Sequence, residues 1–283
     1  MQQEICESIP KPTQKKVLIF IVCFNAEHTI ESVLNRIPVN IWSSQHYWTE
    51  ILIIDDQSMD KTFQRSEEYR RKYPDRKITV LYNPQNLGYG GNQKVGYHYA
   101  VKYDFDIVVL LHGDGQYAPE YLNEMIAPID EDDVDAVFGS RMQHRMKALK
   151  GKMPFYKWIG NQVLTFIQNR ILHSRLSEFH SGYRAYRVAT LKELPFQYNS
   201  DYFDFDTDII IQLLDTGKKI REISIPTFYG NEICRVNGIR YAFKILCSCI
   251  LSRLNRFGLY YHPKYDYIRD SNIIYKEKFG FSS

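Results

Sequence analysis

The sequence contains few cysteines, no apolar run long enough to cross a membrane, and no large excess of charge of one sign. Five cysteines in 283 residues, with no CxxC pair and no zinc spacing, exclude a disulfide scaffold and predict reduced thiols. The longest apolar candidate, YAFKILCSCILSRL, is interrupted by Lys244, Ser248, Ser252 and Arg253. Residues 1–13 are polar and lack the apolar core of a signal peptide. We therefore predict a soluble, cytoplasmic protein.

The charge balance excludes one broad class of partner. There are 36 basic and 33 acidic side chains, which gives a formal net charge of +3 at pH 7. This balance does not indicate a nucleic-acid-binding protein, because such proteins carry a clear basic excess. Apolar residues make up 44% and charged residues 24%, as in ordinary globular proteins. A chain of this length and composition can bury a sizeable core.

Apolar strand-like runs alternate with helix-like segments through the first half of the chain. The strand-like runs are KKVLIFIVCFN, TEILIIDDQ, KITVLYN and DIVVLLHGD. This alternation predicts an α/β fold with a mostly parallel central sheet and helices on both faces. In the second half we predict a strand at DAVFGSRM, a long helix from Pro154, and a helix–strand pair from residue 204 onward. Ligands of such sheets bind beyond the carboxyl ends of the strands.

The fourth strand-like run ends in HGDGQ, which is a candidate metal-binding turn. Asp114 and Gln116 offer two oxygen donors one residue apart, and the flanking glycines allow the backbone to approach a bulky ligand. One carboxylate with one amide oxygen suits Mg²⁺ or Mn²⁺, which leave coordination positions for diphosphate oxygens. His112 could add a nitrogen ligand and would favour Mn²⁺. The alternative is an Asx-turn that only closes the strand.

The second strand-like run ends in Asp55 and Asp56, which could accept hydrogen bonds from a nucleobase or a ribose. The alternative is helix capping, because Ser58 and Asp60 in the same DDQSMDKT segment are good capping residues. The glycine-rich NLGYGGNQKVG segment precedes a helix but fits neither the P-loop nor the first-turn dinucleotide fingerprint. Such a segment is more often a turn than a phosphate site.

Charged residues of the second half could bind a phosphate group or act as a base. Arg141 and Arg184 could supply cations for phosphate, and Arg184 lies in the chemically dense segment SEFHSGYRAY. The segment DYFDFDTDI carries four carboxylates, some of which favour a helix start through the helix dipole. One of them could act as a general base.

In this order, the motifs resemble a family 2 glycosyltransferase of the GT-A fold, within its dolichol-phosphate mannosyltransferase-like branch. The resemblance rests on IFIVCFNAEHTIESVL, EILIIDDQSMDKT, NLGYGGNQKVGYHYA, DIVVLLHGDGQYAPEYL, VFGSR, SEFHSGYRAY and IREISIPTFY. It covers about residues 16–230, with a nucleotide-sugar half up to about 140 and an acceptor half from 141. It implies a Rossmann-like single domain, followed by a helical, aromatic extension over 231–283.

The resemblance also implies roles for individual residues. It places Asn25 and Glu27 in the loop after the first strand, Asp55 and Asp56 at the nucleobase or ribose, and Gly88, Gly90 and Asn92 along the nucleotide. Asp114 takes the place of the last aspartate of the family's DxD motif, and Gln116 matches a glutamine used on the metal. Arg141 matches an arginine that faces the acceptor phosphate.

The sequence departs from that branch at two places. His112 stands where the branch usually has the first aspartate, so the choice between Mg²⁺ and Mn²⁺ stays open. Lys157 and Asn161 stand where the branch tends to offer Arg and Ser to the acceptor phosphate. The resemblance implies inverting transfer of a sugar from a UDP- or GDP-sugar to a polyprenyl phosphate or a cell-envelope glycan. A phosphate acceptor needs no base, whereas a sugar hydroxyl would need one, with Asp204 or Asp206 as candidates.

Two other functions share parts of this pattern. A nicotinamide-dependent oxidoreductase would have the same alternation, but the first strand ends in CFNAEHT with no glycine fingerprint. A non-catalytic nucleotide- or carbohydrate-binding module would result if His112 removed metal binding. Thermal shifts with UDP, GDP or NAD, with and without Mn²⁺, would separate these functions.

A lipid-linked acceptor requires a route to the bilayer, and residues 239–257 offer one. Apolar residues recur there at intervals of three or four and form one helical stripe with basic neighbours. This pattern predicts either an interfacial helix on an anionic membrane or a helix docked on its own core. The first interpretation gives a peripheral location at the inner face of the membrane. The sequence does not reveal the oligomeric state.

Overall fold

The computed structural model describes residues 14–131, 133–144, 149, 151, 153–226 and 237–267. The described residues form seven strands: β1 (Lys15–Cys23), β2 (Tyr47–Asp55), β3 (Ile78–Tyr82), β4 (Ile107–His112), β5 (Ala136–Ser140), β6 (Arg184–Arg187) and β7 (Ile220–Ser224). The helices are α1 (Ile30–Asn35), α2 (Val39–Trp42), α3 (Thr62–Lys72), α4 (Gly88–Lys102), α5 (Leu122–Glu131), α6 (Phe155–Leu172), α7 (Val188–Glu193), α8 (Phe205–Asp215) and α9 (Gly238–Arg256).

The strands form one sheet in the order β3-β2-β1-β4-β6-β5-β7. All neighbouring strands are parallel except β6, which is antiparallel to both β4 and β5. The segment after SEFHSGY forms β6, followed by α7. The predicted mostly parallel sheet is therefore confirmed, with β6 inserted antiparallel between its two halves.

Both faces of the central strands β1 and β4 are buried, which explains why these strands are mainly apolar rather than alternating. In β1, Val17, Ile19 and Ile21 belong to one core cluster, which also includes residues of α1 and α5. Leu18 and Phe20 belong to the cluster on the other face, with residues of α4 and α8. The two helical layers hold the carboxyl ends of the strands rigidly at one edge.

Three of those carboxyl ends lie side by side. Cys23 at the end of β1 pairs with Asp55 of β2, and the neighbouring Val22 pairs with His112 of β4. The first-strand loop, the Asp55–Asp56 pair and the HGDGQ turn therefore meet at one edge of the sheet.

Some sequence predictions fall partly or wholly outside the described residues. Cys23, Cys247 and Cys249 are free thiols, whereas Cys6 and Cys234 lie outside the described part of the chain. The polar leader, most of the basic segment 147–152, the 230/231 boundary and the end of the predicted aromatic extension also lie outside it. Among the residues that the structure describes, no helix is both long and apolar enough to cross a bilayer.

Candidate active site

The turn after β4 presents two oxygen-bearing side chains with unused acceptors. Asp114 Oδ1 accepts a hydrogen bond from the Gln116 amide at 3.0 Å, as in an Asx-turn. Within the described chain, this is the only hydrogen bond of the Asp114 carboxylate, and the Gln116 side chain makes none. Gly115 has a φ of 78°, a conformation that favours glycine and brings the two side chains into one turn. The predicted metal donors are therefore both available.

His112 is held in a chain of hydrogen bonds that leads into the protein. Its Nε2 lies 3.1 Å from the Tyr89 hydroxyl, and that hydroxyl donates to Asp206 Oδ2 at 3.1 Å. Nε2 therefore carries the proton in the neutral ring, and Nδ1 is the nitrogen with a free lone pair. Burial lowers the pKa of His112, which favours this neutral form. The ring also packs edge-to-face against Tyr89 and Tyr117.

Asp206, a candidate general base, has both carboxylate oxygens occupied. Oδ1 accepts a hydrogen bond from Gln93 Nε2 at 3.2 Å, and Oδ2 accepts one from Tyr89. The side chain is buried and lies 3.9 Å from the Arg184 guanidinium. This arrangement makes Asp206 part of the site framework and leaves it poorly placed to take a proton from an acceptor.

Arg184 was predicted to face phosphate, and the structure revises that role. Its side chain is only 1% exposed. The guanidinium donates to three backbone carbonyls, those of Phe179, Ser181 and Asp206, at 2.9–3.0 Å. β6 runs between β4 and β5, so Arg184 lies in the interior of the sheet, with its guanidinium bonded to these carbonyls. Arg184 instead fixes the 178–184 loop against α8.

Asp55 and Asp56 have different environments. The Asp56 carboxylate accepts hydrogen bonds from Asn83 Nδ2 at 2.8 Å and from the backbone amides of Leu87 and Gly88 at 2.9 and 3.0 Å. Asp55 Oδ1 accepts a hydrogen bond from the Ser58 amide, whereas its buried Oδ2 has no partner among the described residues. Burial raises the pKa of Asp55. Asp56 therefore organises the 83–88 loop, and Asp55 has one carboxylate oxygen without a partner among the described residues.

The glycines before α4, which the resemblance places along the nucleotide, pack against a neighbouring loop. The Gly90 and Gly91 amides donate to the Asp201 carbonyl at 2.8 and 3.1 Å. A Cβ at Gly88 or Gly90 would lie 2.5 or 2.3 Å from a carbonyl oxygen of the 200–201 segment. The glycines thus make room for a neighbouring loop.

Asn92, which the resemblance places along the nucleotide with those glycines, has a buried Oδ1 with no hydrogen-bond partner among the described residues. It is buried, and its Nδ2 donates to the Ile54 carbonyl at 3.1 Å, which ties α4 to the end of β2.

Asn25 and Glu27 tie the loops after β1 and β2 together. The backbone amide of Asn25 donates to Ser58 Oγ at 2.8 Å. The side-chain Oδ1 of Asn25 accepts a hydrogen bond from the Met59 backbone amide at 2.9 Å. Asn25 has a φ of 51°, which Asn tolerates better than most residues. Glu27 Oε2 accepts from the Lys61 amide at 2.9 Å. Both residues lie at the predicted edge, and their contacts hold the loop that flanks Asp55.

A buried ion pair underlies the acceptor half of the site. Glu178 Oε2 accepts from the Arg141 amide at 2.7 Å, and Oε1 accepts from Arg141 Nε at 3.0 Å, from Arg141 Nη2, and from Asn161 Nδ2 at 2.8 Å. Burial alone would raise the pKa of Glu178, but the Arg141 charge and these hydrogen bonds lower it. Arg141 and Asn161, both assigned to the acceptor side, are thus joined through Glu178.

Helix α9 contributes two further contacts that sequence reasoning missed. The Tyr241 hydroxyl lies 3.0 Å from His180 Nδ1, and Lys244 Nζ lies 3.6 Å from Asp204 Oδ1. Burial lowers the pKa of His180 to about 4, so its ring is neutral at physiological pH. Asp204, the second candidate base, is also buried and paired with a cation. The dense SEFHSGYRAY segment was the one local signal for this cluster.

Residues 18–194 match the family model described as Glycosyl transferase family 2. The chain belongs to glycosyl transferase family 2. This match confirms the resemblance on which the predicted fold and function rested. It also sets aside the oxidoreductase and favours a catalytic protein over a binding module.

Similar proteins within and around this family cover most of the chain. It is 27% identical over 253 residues to the UDP-N-acetylglucosamine–dolichyl-phosphate N-acetylglucosaminyltransferase of Methanococcus voltae, covering 86% of this chain and 98% of the relative. It is 25% identical over 252 residues to the polyprenol monophosphomannose synthase of Mycolicibacterium smegmatis, covering 87% and 91%. The crystal structure of glucosyl-3-phosphoglycerate synthase from Mycobacterium tuberculosis with Mn²⁺ and UDP-glucose has a similar fold. Its TM-score is 0.61 at 15% identity, with 87% of this chain and 80% of that chain covered.

Proposed function

We propose that this glycosyltransferase moves a sugar from a nucleoside-diphosphate sugar to a polyprenyl phosphate at the surface of a membrane. One observation carries the proposal: Asp55 and Asp114 lie at the same edge of the sheet, each with a carboxylate oxygen that no described residue satisfies. An unsatisfied buried acceptor is costly unless a ligand pairs with it. A nucleobase or ribose donor at Asp55 and a metal-bound diphosphate at Asp114 would satisfy both oxygens.

The turn after β4 fits a divalent cation that is shared with the substrate. Asp114 and Gln116 supply oxygen donors, and the Nδ1 of His112 is a further donor of the kind that favours Mn²⁺ over Mg²⁺. No group of three or more His, Cys, Asp or Glu side chains within the described residues could hold a metal alone. Donor diphosphate oxygens would therefore complete the coordination. When bound, the cation would stabilise charge on the leaving nucleoside diphosphate.

The acceptor half supports an anionic nucleophile. Asp204 and Asp206 are buried and engaged with other groups, so neither is well placed as a base for a sugar hydroxyl. A phosphate acceptor is already ionised and needs no base. Arg141 is largely buried beside Glu178, at the end of β5, and provides a positive charge on that side of the site. The two relatives named above carry dolichyl phosphate or polyprenol in their names.

Two neighbouring helices give the protein a surface suited to a bilayer. On α9, Ile239, Phe243 and Phe257 are 86%, 71% and 74% exposed, while the opposite face of that helix is buried. These exposed side chains support the interfacial interpretation of the predicted stripe. On α6, Phe155, Tyr156, Ile159, Val163 and Phe166 are exposed as well. Arg170, Arg240 and Arg256, at these helices, are exposed basic partners for anionic headgroups.

These helices are joined to the acceptor half of the site. Asn161 of α6 donates to Glu178, and Tyr241 of α9 lies against His180. The phosphate of a lipid held near the bilayer surface would thus lie close to the residues around Arg141. Incubation with UDP- and GDP-sugars, a polyprenyl phosphate in vesicles and Mn²⁺ tests the function directly. Release of nucleoside diphosphate that requires the lipid phosphate is expected, and release unaffected by that lipid would contradict the proposed acceptor.

The two aspartates after β2 should differ in their effects. We expect Asp55→Asn to weaken UDP or GDP binding by about 1–3 kcal/mol, because the amide nitrogen that replaces one oxygen cannot accept the nucleoside's hydrogen bond. Asp56→Asn should instead lower the melting temperature, because three hydrogen bonds to the 83–88 loop depend on that carboxylate. Calorimetric titrations in Mn²⁺ and melting curves of both variants provide the measurement. An unchanged affinity in Asp55→Asn would remove Asp55 from the donor site.

Membrane binding should depend on the exposed side chains of α9. We expect the wild-type protein to sediment with vesicles containing phosphatidylglycerol and to be released by salt. Phe243→Ser combined with Phe257→Ser should weaken this binding by about tenfold or more, since two large apolar side chains leave the interface. Met59→Ser is the matched control, because Met59 is 90% exposed but lies after β2, away from both helices. Absence of salt-sensitive sedimentation of the wild type would exclude the membrane surface.

A further inference from the structure

Residues 199–204 form a loop before α8 that is fastened to the glycine-rich start of α4. The Asp201 carbonyl accepts hydrogen bonds from the Gly90 and Gly91 amides, and the Asp201 carboxylate pairs with Lys94 Nζ at 2.6 Å. The close approach of the two backbones is possible only because the helix begins with glycines. The glycine cluster thus positions this loop, and the side chains of the loop are held in place before any ligand binds.

The loop presents the ring of Phe203 beside the HGDGQ turn. Phe203 stacks on Tyr89, with ring centroids 5.1 Å apart and an interplanar angle of 23°. Tyr89 in turn contacts His112, with centroids 5.3 Å apart and its hydroxyl 3.1 Å from Nε2. Phe203 is still 37% exposed, so part of the ring lies outside this stack. A single exposed aromatic residue is ordinary on a protein surface, but this one lies two ring contacts from the proposed metal site.

We propose that Phe203 is a stacking surface for the sugar ring of the nucleotide-sugar donor. This inference rests on the proposed function, because it needs the diphosphate to bind at Asp114. The sugar is attached to that diphosphate and must lie next to the turn, whereas the nucleobase end lies at Asp55, with β1 between the two strands. A pyranose has an apolar C–H face, and the negative face of an aromatic ring attracts such hydrogens. Phe203 would thus recognise the sugar and leave recognition of the nucleoside diphosphate to other residues.

The test compares each nucleotide-sugar with its own nucleoside diphosphate. In Mn²⁺, Phe203→Ala should raise the Kd of UDP-N-acetylglucosamine or GDP-mannose, whichever the wild type binds, by about tenfold. The Kd of UDP or GDP should stay within about twofold of the wild-type value, because the stacking contact involves only the sugar. A loss that is equal for the nucleotide-sugar and the diphosphate would overturn the proposal, and so would no loss at all.

Three further variants separate stacking from loop structure. Phe203→Leu keeps an apolar side chain on Tyr89 but has no ring, so it should lose nucleotide-sugar affinity without a lower melting temperature, whereas Phe203→Tyr should retain that affinity. Tyr202→Ala removes the neighbouring ring, which lies under Lys244 of α9 at 4.6 Å, and should leave donor binding unchanged. Wild-type affinity for the nucleotide-sugar in Phe203→Leu would refute stacking. Failure of the wild type to bind any of these nucleotides would instead refute the proposed function itself.

Discussion

An Asp114→Ala variant should fold normally and lose transfer activity by about 10³-fold or more. Asp114 is half-buried in a turn, and within the described residues its carboxylate makes one hydrogen bond, to the Gln116 backbone amide, so little of the fold depends on it. The same carboxylate is the one negatively charged donor on the HGDGQ turn. Without it, the diphosphate leaving group would lose the cation that stabilises it. Turnover and Mn²⁺-dependent binding of UDP or GDP should therefore fall together, while the melting temperature stays near that of the wild type.

The matched control flanks the same strand, at its other end. Asp106 precedes β4, and its carboxylate accepts a hydrogen bond from the Lys16 amide at 2.7 Å. Asp106→Ala removes one exposed carboxylate from β4 without touching the turn, so metal-dependent binding and turnover should not change. A folded Asp114→Ala protein that turns over at the wild-type rate would disprove the metal site. If instead the variant binds the nucleotide in Mn²⁺ as tightly as the wild type but no longer turns over, Asp114 acts on the reaction by another route.

The sheet and its functional edge could be predicted because their signals are local. Strands buried on both faces read as unbroken apolar runs, and parallel connections place their carboxyl ends at one edge. Asp55 and Asp114 follow such runs directly, so their proximity needed no knowledge of long-range contacts. The amphipathic stripe of α9 is local in the same sense, although only the structure shows that Phe243 on the helix and Phe257 directly after it are exposed.

Other parts of the site depend on partners far away in sequence. The glycines at 88–91 resemble a phosphate loop locally, but the group that they approach is the Asp201 backbone, more than 100 residues later. An arginine in a polar segment is a typical phosphate-binding residue, yet the antiparallel insertion of β6 buries Arg184 among backbone carbonyls. Asp55 and Asp56 are chemically identical neighbours, and their different roles arise from the loop at 83–88, which fills the Asp56 carboxylate alone.

Removing the carboxylate of Glu178 should cost about 3–5 kcal/mol of the free energy of unfolding at pH 7. The Glu178 side chain has no exposed surface and pairs with Arg141, so Glu178→Gln leaves a largely buried guanidinium without its counter-charge. Urea denaturation of the full-length chain, followed by tryptophan fluorescence, measures this difference. In a double-mutant cycle, Arg141→Met should cost much less in the Glu178→Gln background than in the wild type, because the pair is already broken. Additive costs would show that the two residues contribute independently.

The pH dependence of that difference distinguishes a charged partner from a lost hydrogen bond. The pKa of Glu178 is lower in the folded protein than its ordinary value of 4.5, so its stabilising contribution is fully present above that value. The contribution is lost as pH falls through the folded pKa, and the gap between wild type and Glu178→Gln should close in acid. Glu222 is the matched control, because it accepts hydrogen bonds from Ser177 yet has its pKa raised by burial. The difference in free energy of unfolding between wild type and Glu222→Gln should therefore shrink as pH rises, whereas the difference for Glu178→Gln shrinks as pH falls. A gap for Glu178→Gln that does not change with pH would mean that Arg141 is held by something other than the carboxylate's charge.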